Sequence, residues 1–194
     1  MVLLAVLGRK RSGKDTFSDY ITKKYGFIKY GFADPLKKGI QAFFNLSDEQ
    51  LYDEKLKETI DSRWNVTPRN LFQVIGTEIF QHSIKSFLPE LKGEPRKHWV
   101  FLFKEWYLEL KMKDPNILVV ISDARFLHEL TEIKELGGII IKIIRPLSEK
   151  NGDLHQSENE IDEISEDLIN YKIINDSILI DFYQKIDNII IKLL

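Results

Sequence analysis

The chain has no cysteine among its 194 residues. That excludes disulfides and thiolate metal sites and is compatible with a reducing cytosol. It also lacks a long apolar run. The N-terminal one, Val2 to Leu7, ends in a glycine loop and is too short for a signal peptide or a membrane span. There is no basic excess: 28 Lys and Arg stand against 30 Asp and Glu, a net charge of −2. A nucleic-acid binder would normally carry a surplus of positive charge, so no nucleic-acid partner is expected. No low-complexity tract, repeat or Gly/Ser linker is visible. These absences leave a soluble chain, long enough for one α/β domain with a real core, spanning residues 1–194.

What is present is organised around Gly8-Arg9-Lys10-Arg11-Ser12-Gly13-Lys14-Asp15-Thr16. An apolar stretch precedes it, and helical spacing follows at Phe17, Tyr20, Ile21 and Tyr25. Strand, glycine loop and helix in that order make G-x-x-x-x-G-K a phosphate-binding P-loop. The glycines let the backbone turn its N–H groups inward, the helix N-terminus adds positive potential, and Lys14 reaches the phosphates. The alternative, a chance match on a surface turn, is disfavoured by the flanking strand and helix. One position departs from the pattern. Where a magnesium-binding Ser or Thr usually follows the lysine, this chain has Asp15 and then Thr16. That argues against a GTPase and for a small-substrate kinase, with Thr16 near a phosphate and Asp15 a weak candidate for magnesium.

Further along, Tyr25-Gly26 reads as a helix stop and Phe27 to Phe32 as a second strand. Pro35 opens a helix with Leu36, Ile40, Phe43 and Phe44 on one face. Ser47 with Gln50 forms a capping box for a short charged helix to about Lys57. Thr67 and Pro68 start a helix running through Leu71, Phe72, Ile75 and Ile79. On it Arg69 and Gln73 share a face, which suits either a nucleotide's phosphate and base or plain solvation. Phe87 to Lys97 reads as a loop. Trp99 to Lys111 is an aromatic-rich helix, its rings assigned to the core and its apolar character leaving a homodimer open.

Ile117 to Ser122 is a continuous apolar strand of the kind buried in a parallel sheet. It ends in Asp123-Ala124-Arg125, at the strand end where open α/β sheets bind ligands. Asp123 is therefore a candidate acid for a magnesium–nucleotide site or a helix cap, and Arg125 a phosphate ligand. His128 to Leu136 is a helix stopped by Gly137-Gly138, and Ile139 to Ile144 a further strand ending at Arg145-Pro146. The polar stretch of about 146–166 is long for a connection and reads as a lid. Tyr171 to Ile174 is the last strand, Asn175-Asp176-Ser177 a turn, and Ile178 to Leu194 an amphipathic closing helix. The expectation is an α/β, P-loop kinase-like three-layer sandwich. Its five-stranded, mostly parallel sheet has order 2-3-1-4-5, with helices on both faces and a substrate-binding helical region at about 33–111.

The chain resembles the tailed-phage deoxynucleoside monophosphate kinases along nearly its whole length. The matching pieces are Lys10 to Thr16, Ala33 to Lys37, Arg69 to Glu78, Trp99-Val100, Asp123-Ala124-Arg125 with His128-Glu129, Gly137-Gly138 leading to Arg145-Pro146, Asp153 to Glu158, and Asn175-Asp176. It departs from that pattern after the Asn-Asp turn, where Ser177 and Ile178 replace Gly and Ser. The region between the second strand and Thr67 is also short.

The resemblance implies transfer of the ATP γ-phosphoryl to a deoxynucleoside monophosphate, with magnesium, in a cytoplasm (the host's, if viral). On that footing Gly8, Arg11, Ser12, Gly13, Lys14, Asp15 and Thr16 serve the ATP phosphates and metal. Asp123 orients the metal's water or the acceptor, and Asn175 bounds the adenine. Arg125 and Arg69 clamp the monophosphate, and Arg145 meets phosphates at the root of the lid. Lys37, Gln73, Glu78, Trp99, His155 and Glu158 complete the substrate side. Two rivals remain. One is another P-loop kinase such as phosphomevalonate kinase, which shares the Lys-x-Ser-Gly-Lys-Asp loop. The other is an ATP-binding switch that transfers nothing.

Overall fold

The computed structural model describes residues 1–146, 161 and 164–194. The chain forms two compact units, residues 1–31 with 106–194, and residues 32–105.

The first unit is a parallel sheet with helices on both faces. Strand β1 (Val2–Leu7) is buried at every position. It pairs with β3 (Leu118–Ile121) on one side and β4 (Ile139–Ile144) on the other. β2 (Ile28–Tyr30) extends the sheet from β3, and β5 (Tyr171–Ile174) from β4. All four pairings are parallel and the order is β2-β3-β1-β4-β5, as the order of sequence elements predicts. A strand with no polar position needs cover on both faces, and here it has it. Val2, Leu4 and Val6 join Phe17 and Ile21 of α1 (Lys14–Tyr25) with Phe182, Ile186 and Ile190 of α9 (Leu179–Leu193). The alternate residues Leu3, Ala5 and Leu7 point to the other face, where α8 (Leu127–Glu135) lies on β1 and β4 with Leu130 and Ile133 buried. Each such Val, Leu, Ile or Phe side chain contributes about 1.5–3 kcal/mol of burial.

The second strand is shorter than its apolar run. Phe27 and Phe32 are both buried, but the ladder to β3 covers only Ile28 to Tyr30. Burial extends beyond pairing because Phe32 is held by a ring, edge-on to Phe103, instead of by a neighbouring strand.

The second unit holds α2 (Asp34–Phe44), α3 (Asp48–Tyr52), α4 (Glu54–Lys57) and α5 (Pro68–Gln73). Its core is Ile40, Leu46, Leu51 and Leu71 with Leu36, Phe44, Val66, Phe72 and Ile75 around them. The Ser47–Gln50 capping box forms. The charged helix expected after it is split at Asp53, whose carboxylate caps α4 by accepting the N–H groups of Lys55 and Leu56. Thr67 caps α5 with Pro68 at its first position. Instead of continuing as an α-helix to Ile79, the chain widens into a π-helix over Val74–Ser83 and closes with α6 (Ile84–Phe87). At the widening Gly76 presents no side chain to Leu36, and its carbonyl accepts the indole N–H of Trp99 at 3.3 Å. Helix α7 (His98–Lys113) buries Trp99, Val100, Phe103 and Tyr107, as the core assignment of its rings predicts. No described helix is long and apolar enough to cross a membrane.

Candidate functional site

The P-loop leaves β1 with Gly8 at φ 156° and enters α1 through Gly13 at φ 111°. A Cβ on Gly8 would lie 2.5 Å from the Ile143 carbonyl oxygen, so only glycine lets the loop lie against β4. Arg11 turns the loop in the left-handed region at φ 65°, and the Ser12 N–H closes on the Arg9 carbonyl at 3.1 Å. Lys14 is buried and donates to the carbonyls of Gly8 (2.5 Å) and Arg9 (2.8 Å), drawing the start of the loop over the start of the helix. The Ser12 hydroxyl is buried and has no hydrogen-bond partner among the described residues. Together with the N-terminus of α1, where the helix dipole presents positive potential, this makes a site suited to an anion.

Three other strand ends reach this region of the first unit. After β5, Asn175 donates its side-chain amide to the Ser12 carbonyl at 2.9 Å, and its backbone N–H to Ile144 at 2.7 Å. After β4, Arg145 donates to the Arg11 carbonyl at 3.4 Å. After β3, Ser122 is fixed by its N–H to the Tyr30 carbonyl (3.0 Å), followed by half-buried Asp123, fully buried Ala124 and half-buried Arg125. Thr16 is half-buried on α1, whereas the Asp15 carboxylate is exposed and 3.5 Å from Lys29, which also holds Asp19 at 2.8 Å.

In the second unit Arg69 is paired with both Glu58 and Glu54. Lys37 lies 3.6 Å from Asp34 and 4.7 Å from the Tyr52 ring centroid. Gln73 and Glu78 are exposed, on α5 and the π-helix, and Trp99 is buried between the Gly76 carbonyl and the rings of Phe80 and His98. His155 and Glu158, with most of the expected lid, lie outside the described residues.

One residue of this region received no role from sequence. Glu129, in the first turn of α8, is buried, and its Oε2 accepts the backbone N–H groups of Arg125 (2.7 Å) and Phe126 (3.0 Å). Burial pushes its carboxyl up to about 8, against the pull of those two amides. The signal available in sequence was a glutamate three residues into a helix, the back half of a capping box.

The donor set suits magnesium, which takes one or two carboxylates together with substrate phosphates and keeps several waters. Asp123 and the Thr16 hydroxyl offer that much. Among the described residues no cluster of three or more His, Asp or Glu side chains could hold a metal ion.

A parallel sheet of order 2-3-1-4-5 with a P-loop between β1 and α1 defines a P-loop kinase fold. Dephospho-CoA kinase from Campylobacter jejuni shares it with a TM-score of 0.54 at 17% identity, covering 98% of this chain and 96% of that one. The chain belongs to the deoxynucleotide monophosphate kinase family, whose family model matches residues 2–62 and 47–186. A protein of Acanthamoeba polyphaga mimivirus that carries that name provisionally is 42% identical over 96% of this chain and 94% of its own. The deoxynucleotide monophosphate kinase of Enterobacteria phage T4 is 24% identical over 97% and 98%. The family resemblance read from the motifs is thereby borne out.

Proposed function

We propose that this chain transfers the γ-phosphoryl group of ATP to a deoxynucleoside monophosphate, giving the diphosphate. The observation that carries the reading is family membership across residues 2–186, because a P-loop alone serves many chemistries. Phosphoryl transfer asks the protein for positioning and charge neutralisation more than for covalent help. The loop amides from Gly8 to Thr16, the Ser12 hydroxyl and the Lys14 ammonium hold the ATP phosphates, with Arg11 and Arg145 bordering them. Asn175 keeps the loop in shape through the Ser12 carbonyl and bounds the adenine. Magnesium, when bound, neutralises charge on the β- and γ-phosphates. Thr16 and Asp123 would hold it partly through water, with Asp15, now beside Lys29, as a further candidate.

Arg125 clamps the transferring group with a bidentate fork. Arg69, Gln73, Lys37, Glu78 and Trp99 receive the acceptor nucleotide, and its phosphate displaces Glu54 and Glu58 from Arg69. His155 and Glu158, in the Asp153 to Glu158 stretch that matches the family, complete the substrate side. Substrates of this kind are soluble and suit a cytoplasmic location.

The test is ADP release with ATP and magnesium and each of dTMP, dGMP, dCMP, dAMP and mevalonate phosphate, beside Lys14→Ala and Arg125→Ala. Release that depends on a deoxynucleotide and is lost in both variants supports the reading. Release with mevalonate phosphate alone moves the acceptor to another class, and ATP binding without any acceptor-dependent release refutes transfer.

A further inference from the structure

Between β3 and α8 the chain is pinned twice. Ser122 is tied to Tyr30 through its backbone N–H at 3.0 Å and its hydroxyl at 3.4 Å. Arg125 and Phe126 are tied to Glu129 through their backbone N–H groups at 2.7 and 3.0 Å. Only Asp123 and Ala124 lie between the two anchors, and Ala124 is fully buried. The C-terminal anchor of this turn, next to the point from which the Arg125 side chain departs, is the Glu129 carboxyl group.

We propose that Glu129 is a positioning residue of the transfer site, fixing the Asp123–Arg125 turn through the Arg125 and Phe126 amides and thereby the Arg125 guanidinium. The proposal rests on the reading above in which Arg125 meets phosphate.

A plain helix cap accounts for less than is seen. Capping α8 needs the Phe126 amide alone, and a capping glutamate does that work at the surface, where no carboxyl has to be buried. Glu129 instead sits 5% exposed and takes the Arg125 amide as well, outside the helix. Burial and the neighbouring Asp123 charge both favour the protonated form, an uncharged acceptor. A carboxamide has the same shape and the same acceptor, so glutamine should replace it. Leucine fills the space but takes the Glu129 acceptor away from both amides.

The test compares Glu129→Leu, Glu129→Gln and Arg125→Ala with the wild type. It measures acceptor kcat/KM, ATP KM and thermal melting, using the best acceptor from the panel. Glu129→Leu should melt as a folded protein and keep its ATP KM within about twofold. Its acceptor kcat/KM should fall on the order of tenfold or more, the scale that small misplacements reach. Glu129→Gln should recover to within about threefold. An unchanged Glu129→Leu beside an impaired Arg125→Ala overturns this inference alone. So does a Glu129→Leu that loses ATP and acceptor efficiency together with its melting point and is not rescued by glutamine, since that is a structural cap. An unaffected Arg125→Ala overturns the site reading beneath it.

Discussion

Adding one methyl group to Gly13 tests how the P-loop is held. In Gly13→Ala the new Cβ meets two things. The first is the backbone itself: φ 111° lies where L-residues are strained, costing roughly 1–2 kcal/mol. The second is Asn175, whose amide nitrogen would be 2.7 Å from that Cβ. Asparagine is short, so the amide has to move, and moving it breaks its 2.9 Å bond to the Ser12 carbonyl. A neutral hydrogen bond of this kind is worth about 1 kcal/mol. Gly13→Ala should therefore cost about 2–3 kcal/mol in total. In an Asn175→Ala background the clash and the bond are both already gone, and the Phe182 ring at 3.4 Å is in ordinary contact. Only the backbone strain remains, so the double-mutant cycle should show coupling of about 1 kcal/mol.

The assay is the urea midpoint and thermal melting of four proteins: wild type, both singles and the double. For a chain of this size about 1 kcal/mol moves the melting point by roughly 2–4 °C, which is measurable. Strict additivity, with Gly13→Ala equally costly in both backgrounds, would refute the claim that Asn175 braces the loop through Ser12.

Two more predictions concern pH. Hydrogen bonds from Arg63 and Gln50 hold the Asp61 carboxyl well below the usual carboxylate range, outweighing burial. A depressed folded-state value contributes stability that is complete above the unfolded value and lost as pH falls through the folded one. Asp61→Asn should be less stable than wild type at pH 7, and the gap in urea midpoint should narrow below about pH 4. A gap independent of pH would show that the carboxylate's charge is irrelevant there. Glu129 has the opposite sign. Its folded value is raised to about 8, so between the ordinary glutamate value and pH 8 the folded chain holds a proton that the unfolded chain has released. Wild-type stability should fall across that window as pH rises, and Glu129→Gln should flatten the profile. Parallel profiles would mean that the group titrates normally in the folded chain.

The sheet was legible because its signals are local and of one kind. The continuous apolar run at Val2 to Leu7 and the isoleucine-rich run at Ile139 to Ile144, broken only by Lys142, are short and bounded by glycine or proline, which favours strands covered on both faces. The caps at Ser47 and Thr67 write helix starts into a few adjacent residues. The misses follow from partners distant in sequence. The π-helix at Val74–Ser83 involves Gly76 with Leu36 on one side and Trp99 on the other, and neither is visible from the helical period of Leu71, Phe72, Ile75 and Ile79. The run from Phe27 to Phe32 reads as a strand of full length because burial by a ring and burial by a ladder select the same apolar residues.

The site divides along the same line. A P-loop is recognisable because its chemistry is performed by backbone amides, and the only residues it must specify are the glycines that permit the turn and the lysine beneath it. Both requirements are contiguous, at Gly8, Gly13 and Lys14. Side chains that act on the backbone of other segments leave no such trace. The bond from the Asn175 amide to the Ser12 carbonyl is one case: nothing in Asn175-Asp176-Ser177 announces it. Glu129 had only the look of a helix cap. What separates it from one is that it is buried and takes an amide that precedes the helix. Sequence spacing reports neither property. A polar residue in the first helical turn after a strand end therefore needs its burial and its acceptor partners before a role can be chosen.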